Sequence, residues 1–329
     1  MKRISLIVPV YNGEAYLLNM ARSVLEQDWE NLQVLFSDDG STDGSADLLE
    51  ELAGRDPRVQ VISGENGGVS AARNRALEQA DGDYIGFADA DDRLLPGYLR
   101  TLAEALEQTG ADMACCGFDR VYEASGARDH LPGEAYVREV VDRDGMAQRL
   151  LRPDGYTTVV WNKLFRREAV SQSDGKLLKF DEDLHIVEDG EYIFRSNVKQ
   201  AVFLPQRLYR YSVRTSGAMY GRLTERKRTE LAARRKIVAQ TGDLSPETRD
   251  LAKMKYQKGV RDLLFHSVIS GDGAAVRGLK QELKVYRREL FASPALSPRE
   301  KLKYHIYRPI ICLNLRHVGA FLMDKFSGH

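Results

Sequence analysis

The sequence predicts an α/β fold, a mostly parallel sheet with helices on both faces, followed by a helical C-terminal region. Three observations predict it. Short apolar runs alternate with segments of helical periodicity from Ile4 to about Gly117, the pattern of strand–helix–strand winding. Each early run ends in a turn rich in Gly, Asn or Asp, which collects polar groups at one rim of the sheet, where such folds bind ligands. After Gly221 the chain changes to long stretches of Arg, Lys, Leu and Ala, which favour helix.

Strands are expected at Ile4–Pro9, Leu32–Ser37, Val59–Ile62, from Tyr84, and at Met113–Gly117. Helices are expected at Glu14–Glu26, from Ser45 to about Ala53, after Gly67-Gly68 to Ala80, and from Pro96, since proline suits a first helical turn. Beyond residue 120 the pattern is less regular. It gives a helix from about Asp144 to Leu151, an aromatic-basic cluster Trp161-Asn162-Lys163-Leu164-Phe165, a helix over Asp189–Asn197, and strands at Ala201–Leu204 and Leu208–Ser212. The last helices are expected at about 222–240, 246–270 and 273–291, with a boundary near 217–222 separating a domain of residues 1–218 from a region of residues 219–329.

The 329 residues suffice for a large core, and net charge is zero. The charge is unevenly placed: residues 221–329 hold 23 Lys and Arg against 11 Asp and Glu, leaving the earlier part correspondingly acidic. An acidic part suits a metal and a basic part suits an anionic surface. Three cysteines, Cys115, Cys116 and Cys312, have no metal-ligand spacing and are read as reduced cytosolic thiols. The N-terminus enters a strand almost at once, so no secretory signal is expected. Apolar runs fall far below the roughly 18–20 residues that span a bilayer.

Four rim segments carry the chemistry. Asp89-Ala90-Asp91-Asp92 follows the apolar run Tyr84–Ala88, and two carboxylates one residue apart can share Mg²⁺ or Mn²⁺. Taken alone, the cluster reads as a charged turn after a strand, since short acidic motifs are common. Pro9-Val10-Tyr11-Asn12-Gly13 ends the first strand and frees the Tyr11 ring to stack on a planar base. Asp38-Asp39-Gly40-Ser41-Thr42-Asp43 ends the second. There a carboxylate can accept a base imide N–H, while Asp43 and Ser45 suit turn and cap. Asn66-Gly67-Gly68 leads into a helix carrying Arg73, which can approach a diphosphate or order an acidic residue.

With these four segments in this order, the chain resembles the family 2 glycosyltransferases, whose fold is called GT-A, over roughly residues 1–215. The resemblance implies a nucleotide-sugar donor bound by Pro9, Tyr11, Glu14, Asp39, Asn66, Arg73, Asp89 and Ala90. It places Asp39 on the base, Asp89 on ribose or metal, and Asp91 on the metal that bridges the diphosphate, Mn²⁺ or Mg²⁺. It also implies a Glu-Asp pair at a helix start. Glu188-Asp189 fits, with Asp189 as the base of an inverting transfer and Glu188 orienting the acceptor. Trp161-Asn162-Lys163 looks like an acceptor segment, with Trp161 stacking on a sugar and Lys163 contacting phosphate; His185, Arg210 and Arg214 are further phosphate candidates. The implied activity is metal-dependent transfer of one sugar, from a donor that is expected to be a UDP-sugar, to a carbohydrate or lipid-linked acceptor in cell-surface polysaccharide synthesis. A nucleotidyltransferase and an inactive sugar-nucleotide scaffold are the alternatives.

The tail from Lys301 to Leu322 mixes basic and bulky apolar residues, as a helix in a membrane interface does. Its expected partner is an anionic membrane surface at the cytoplasmic face or an anionic acceptor; the alternative is an amphipathic helix docking on the catalytic domain or on another subunit of a homo-oligomer. Nucleic acid is not expected, since no nucleic-acid motif accompanies the charge.

Overall fold

A computed structural model describes residues 1–131, 137–152, 155–214 and 225–293. The chain divides into two compact units, Met1–Gly217 and Ala218–His329. The first begins with the expected alternation: β1 (Ile4–Val10), α1 (Glu14–Leu25), β2 (Leu32–Asp38), α2 (Ser45–Arg55), β3 (Val59–Ser63), α3 (Val69–Gln79) and β4 (Tyr84–Phe87). It continues with β5 (Arg93–Leu94), α4 (Tyr98–Thr109), β6 (Met113–Tyr122), β7 (Arg128–Leu131), β8 (Glu139–Asp142), α5 (Arg143–Leu151), β9 (Lys163–Arg166), a 3₁₀ turn at Arg167–Val170, α6 (Glu188–Arg195) and β10 (Gln200–Val213).

The sheet runs β3-β2-β1-β4-β9-β6-β10-β5, with β7 on β6 and β8 on β10. The first four strands are parallel, and so are β6 and β10. β9 lies antiparallel between β4 and β6 and joins the two parallel groups. Strand alternation sorts the core into two layers. Ile4, Leu6, Val8 and Val10 face α1 and α4, packing with Leu17, Met20, Leu99 and Leu102. Ile7 and Leu35 face the other way, with Ala76 and Leu77 of α3 and Tyr192 and Ile193 of α6. The adjacent thiols Cys115 and Cys116 are buried and free, one in each layer.

Parts of the first unit differ from the sequence expectation. The helix after Pro96 starts at Tyr98, because Gly97 takes a left-handed conformation (φ 80°) that only glycine adopts without strain, and this turns the chain before the helix. The two strands expected near 201–212 are one strand, β10, whose pairing with β6 slips between Leu204 and Tyr209. Pro205 lies in that slip and lacks the N–H that regular pairing needs. β9 stands where the sequence shows only an aromatic-basic cluster, since a four-residue strand beginning with lysine carries no period-2 signal.

The second unit holds α7 (Glu225–Gln240), α8 (Pro246–Ser270), α9 (Gly273–Glu282) and α10 (Arg287–Ala292). The expected single helix over 273–291 breaks before α10, where Tyr286 is left-handed (φ 60°). Ser245 caps α8 ahead of Pro246, accepting from the Thr248 amide at 3.3 Å, and Asp272 caps α9. Leu264, Val268 and Val276 form an apolar cluster between α8 and α9. No helix among the described residues is long and apolar enough to cross a membrane. The proposed surface helix in 301–322 and Cys312 lie outside the described residues, as does the segment around the expected boundary.

Candidate active site

The loops after β1 and β2 are stitched together by side chains bonding to backbone. The Asn12 and Gly13 amides donate to Ser41 Oγ (3.0 Å) and Ser45 Oγ (2.9 Å). Asn12 Oδ1 accepts from the Thr42 amide at 2.8 Å. The Glu14 amide donates to Asp43, and the Gly44 amide donates back to Glu14 Oε2 at 3.0 Å. Two helix N-termini thus cap each other, and Glu14 is occupied in doing so. Tyr11 stays 54% exposed beside this seam, free to meet a planar ring, while Pro9 is half-buried within β1.

Asp39 is buried. Its carboxylate accepts the Gly67 and Gly68 amides at 3.0 and 2.8 Å and Arg75 Nη2 at 2.7 Å. A carboxylate has about four lone-pair directions, so about one remains for a base imide. The approach is close enough to need glycine: at Gly40 (φ 72°) an added Cβ would lie 3.0 Å from the Asn66 amide nitrogen. Asn66 itself is exposed on this loop.

The acidic cluster follows β4. Ala90 packs beside Gly13, bringing the cluster to the first loop. Asp91 pairs with Arg214, whose guanidinium lies 4.2 Å from the Tyr16 ring centre. Asp92 has a structural role that the sequence did not reveal. It is buried, accepts from Tyr209 Oη and the Ser212 amide, both at 2.8 Å, and ties β10 to the cluster. Burial, then the charge of Asp89, push its carboxyl well above the usual range, against the two hydrogen bonds. Tyr209 Oη also accepts from the Asp89 amide at 3.1 Å.

Arg73 joins the two ends of the site. It is buried on α3, with Nη2 3.0 Å from Asp89 and Nη1 2.7 Å from Asp189 and 3.3 Å from Glu188. Burial opposes its charge, but the carboxylates of Asp189, Asp89 and Glu188 outweigh that and hold its pKa above the ordinary value. Three carboxyls share one guanidinium. Burial and the neighbouring Asp189 charge push Glu188 up to about 7, although Arg73 pulls the other way. The loop before α6 is fastened to α3: Asn74 exchanges hydrogen bonds with the Phe180 backbone at 2.7 and 3.0 Å, and Ser70 Oγ donates to the Leu184 carbonyl. Val187, at the start of α6, is left-handed (φ 67°), a conformation costly for a β-branched residue and characteristic of functional sites.

The acceptor segment departs from expectation. Trp161 is only 4% exposed and stacks on Tyr209 (4.4 Å) and Tyr211 (5.3 Å), with Phe118 at its edge. Its ring is already covered, so it shapes the site and does not offer a face to a sugar. Lys163 is fully buried, and its ammonium donates to the Thr157 and Val159 carbonyls (3.1 and 2.6 Å) and to Asn162 Oδ1 (2.7 Å). Its three hydrogens are taken, which corrects the expected phosphate contact. His185, Arg210 and Arg214 are half-buried.

Asp89 and Asp91 are hard oxygen donors at the rim, with 29% and 27% of their side chains exposed. Among the described residues no group of three or more His, Cys, Asp or Glu is arranged to hold a metal. Each of the two carboxylates is paired with an arginine, Asp89 with Arg73 and Asp91 with Arg214. A two-carboxylate donor set is one that Mg²⁺ commonly takes, completing its shell with substrate phosphates and water.

The glycosyl transferase family 2 model matches residues 5–173, from β1 past β9. The chain belongs to glycosyl transferase family 2. It is 34% identical over 191 residues to EpsJ, an uncharacterized glycosyltransferase of Bacillus subtilis (strain 168), across 57% of this chain and 54% of EpsJ. It is 30% identical over 217 residues to the glycosyltransferase GlyA of Streptococcus pneumoniae serotype 4 (strain ATCC BAA-334 / TIGR4), across 64% of this chain and 31% of GlyA. The chain thus spans about half the length of EpsJ and under a third of GlyA. Among solved structures it is similar to S. aureus TarS 1–349 in complex with UDP-GlcNAc, with a TM-score of 0.65 and 19% identity over 93% of this chain and 92% of that one. That likeness establishes the GT-A-type fold of this family 2 member.

Proposed function

We propose that this chain is an inverting, metal-dependent glycosyltransferase that moves one sugar from a UDP-sugar to a carbohydrate or lipid-linked acceptor in cell-surface polysaccharide synthesis. The observation that carries the reading is Arg73, which holds the acceptor-side carboxylates Glu188 and Asp189 against Asp89 of the donor-side cluster. One guanidinium thereby fixes an acidic pair next to the carboxylate pair suited to a cation.

Tyr11 and Asp39 take the base, with Tyr11 stacking and Asp39 accepting the imide proton. Asp91 and Asp89 would hold a divalent cation, Mn²⁺ or Mg²⁺, which supplies positive charge to the leaving diphosphate. Asp189 accepts the proton of the acceptor hydroxyl as that oxygen bonds to the anomeric carbon and the bond from carbon to the diphosphate oxygen breaks. Attack from the face opposite the leaving group inverts the centre. Glu188 is half-buried and basic enough to carry a proton near neutrality, which supports a role in hydrogen-bonding the acceptor.

The basic excess of residues 221–329 supports peripheral association with an anionic membrane at the cytoplasmic face. Binding to vesicles of anionic phospholipid that weakens with salt is the expected result; no binding at low salt rejects it.

The test of function is UDP release from UDP-N-acetylglucosamine, UDP-glucose and UDP-galactose by the full chain with Mn²⁺, water standing in for the acceptor. UDP release that stops with chelator and returns with Mn²⁺ is expected. Pyrophosphate release indicates nucleotidyl transfer, undiminished turnover in chelator rejects metal dependence, and no turnover with any donor favours a scaffold.

A further inference from the structure

Lys163 is an ammonium enclosed in the protein, and the function proposed above gives it no task. A buried cation is costly unless fully bonded, so a sequence that keeps one at the head of a core strand needs a compensating arrangement. The compensation is local. Thr157 and Val159 turn their carbonyls onto the ammonium, and Thr157 is left-handed (φ 62°) although β-branched. Three oxygens, from Thr157, Val159 and Asn162, lie 2.6–3.1 Å from Nζ. Asn162 is itself fixed, donating to the Cys116 carbonyl at 2.8 Å. Three acceptors require three hydrogens, so the geometry calls for the charged form, against burial, which lowers the pKa of the ammonium while the neighbouring Cys115 and Asp189 raise it.

The next bond gives this enclosure a direction. The Val159 carbonyl and the Val160 N–H belong to one peptide group, and a trans peptide points them in opposite directions. The carbonyl meets Lys163 Nζ at 2.6 Å, and the N–H donates to Asp189 Oδ2 at 3.1 Å. The other oxygen of Asp189 is taken by Arg73 at 2.7 Å. A single peptide dipole is therefore aligned between a buried cation and the carboxylate of the acidic pair. Hydrogen bonds in such a chain polarise one another. The arrangement orients Asp189 from behind while Arg73 orients it from the donor side.

We propose that Lys163 is a positioning residue for Asp189, acting through the Val159–Val160 peptide and touching neither donor nor acceptor. The role rests on the reading of Asp189 as the base. It differs from the phosphate contact that the sequence suggested, and it explains why the Thr157 loop is held in a strained form.

The test uses the full chain and whichever of the three UDP-sugars it hydrolyses fastest. Wild type, Lys163→Met, Asp189→Asn and the double variant are compared for turnover and for UDP dissociation constant by calorimetry. Lys163→Met is expected to lower kcat by about 10- to 100-fold, the usual cost of losing a residue that orients a reacting group. The UDP constant should stay within about twofold, and the double variant should be no slower than Asp189→Asn. Should Lys163→Met fail to fold, Lys163→Gln, which keeps a neutral donor and loses the charge, takes its place with the same expectations. Unchanged kcat, weakened UDP binding, or losses that multiply in the double variant would each overturn the proposal while leaving Asp189 as base. Full turnover by Asp189→Asn rejects the base reading itself, and the positioning role with it.

Discussion

The two sides of the rim are built by different physics. On the proposed nucleotide side, residues 12–14 and 41–45 are joined by bonds from backbone amides to hydroxyl, amide and carboxylate side chains, most of them exposed. On the acceptor side, α3, the acidic cluster and α6 meet through a buried guanidinium shared by three carboxyls. The first side can be loosened locally at small cost. The second depends on Arg73, because removing that guanidinium leaves like charges facing each other out of water. Recognition of a nucleotide needs fixed donors and acceptors with room to open. Proton transfer needs carboxyls whose charge is set by their surroundings.

The largest effect separating the two sides is on stability. Arg73→Met strips the counter-charge from Asp89, Glu188 and Asp189 and is expected to cost about 3–5 kcal/mol, as for breaking a buried ion pair. Ser41→Ala, which removes the acceptor of the Asn12 amide from the exposed seam, is expected to cost only about 1 kcal/mol. Denaturant midpoints measure both, and comparable losses would erase the distinction.

The seam was legible in the sequence and the buried network was only half so. Asn12, Asp39, Asp43 and Ser45 act within turns whose chemistry is set by near neighbours, so their residue types announce them. Arg73 and the Glu188-Asp189 pair were legible as candidates, but their meeting depends on β4, α3 and α6 converging from distant parts of the chain. Trp161 and Lys163 were misread for a related reason. A tryptophan beside a lysine suggests a surface that binds sugars and phosphates. Only the return of β10 places Tyr209 and Tyr211 on the indole, and only β9's place between β4 and β6 buries the lysine. Asp92 looked like one more member of an acidic turn, and its work lies with Tyr209 and Ser212 of β10.

A smaller effect sharpens the comparison through pH. Glu188 holds its proton up to about 7 in the folded chain against an ordinary 4.5, so the folded state binds more protons between those values. Its contribution to stability is therefore present below about 4.5 and lost as pH rises through about 7. Relative to Glu188→Gln, wild type should lose stability across that window, measured by unfolding at a series of pH values. Parallel curves for the two proteins would show that Glu188 is not held in its neutral form by the network.

The smallest expected effect lies on the nucleotide side. Tyr11 is exposed, so Tyr11→Ala should leave the denaturant midpoint unchanged. Loss of its stacking should weaken UDP binding by about 0.5–1.5 kcal/mol, as aromatic contacts usually contribute. Unchanged UDP affinity would remove Tyr11 from the donor site.

A crossed comparison of Asp39→Asn and Asp189→Asn tests the divided rim most directly, with UDP affinity and turnover measured on both. Asp39→Asn is expected to weaken UDP binding, since its carboxylate orders the Gly67-Gly68 loop and is the proposed acceptor for the base. Asp189→Asn should bind UDP as wild type does and lose turnover by about 10²–10⁴-fold, the range for a missing general base. If Asp189→Asn instead loses UDP affinity while its bound complex turns over normally, the acidic pair belongs to the donor site and the two-sided rim is wrong.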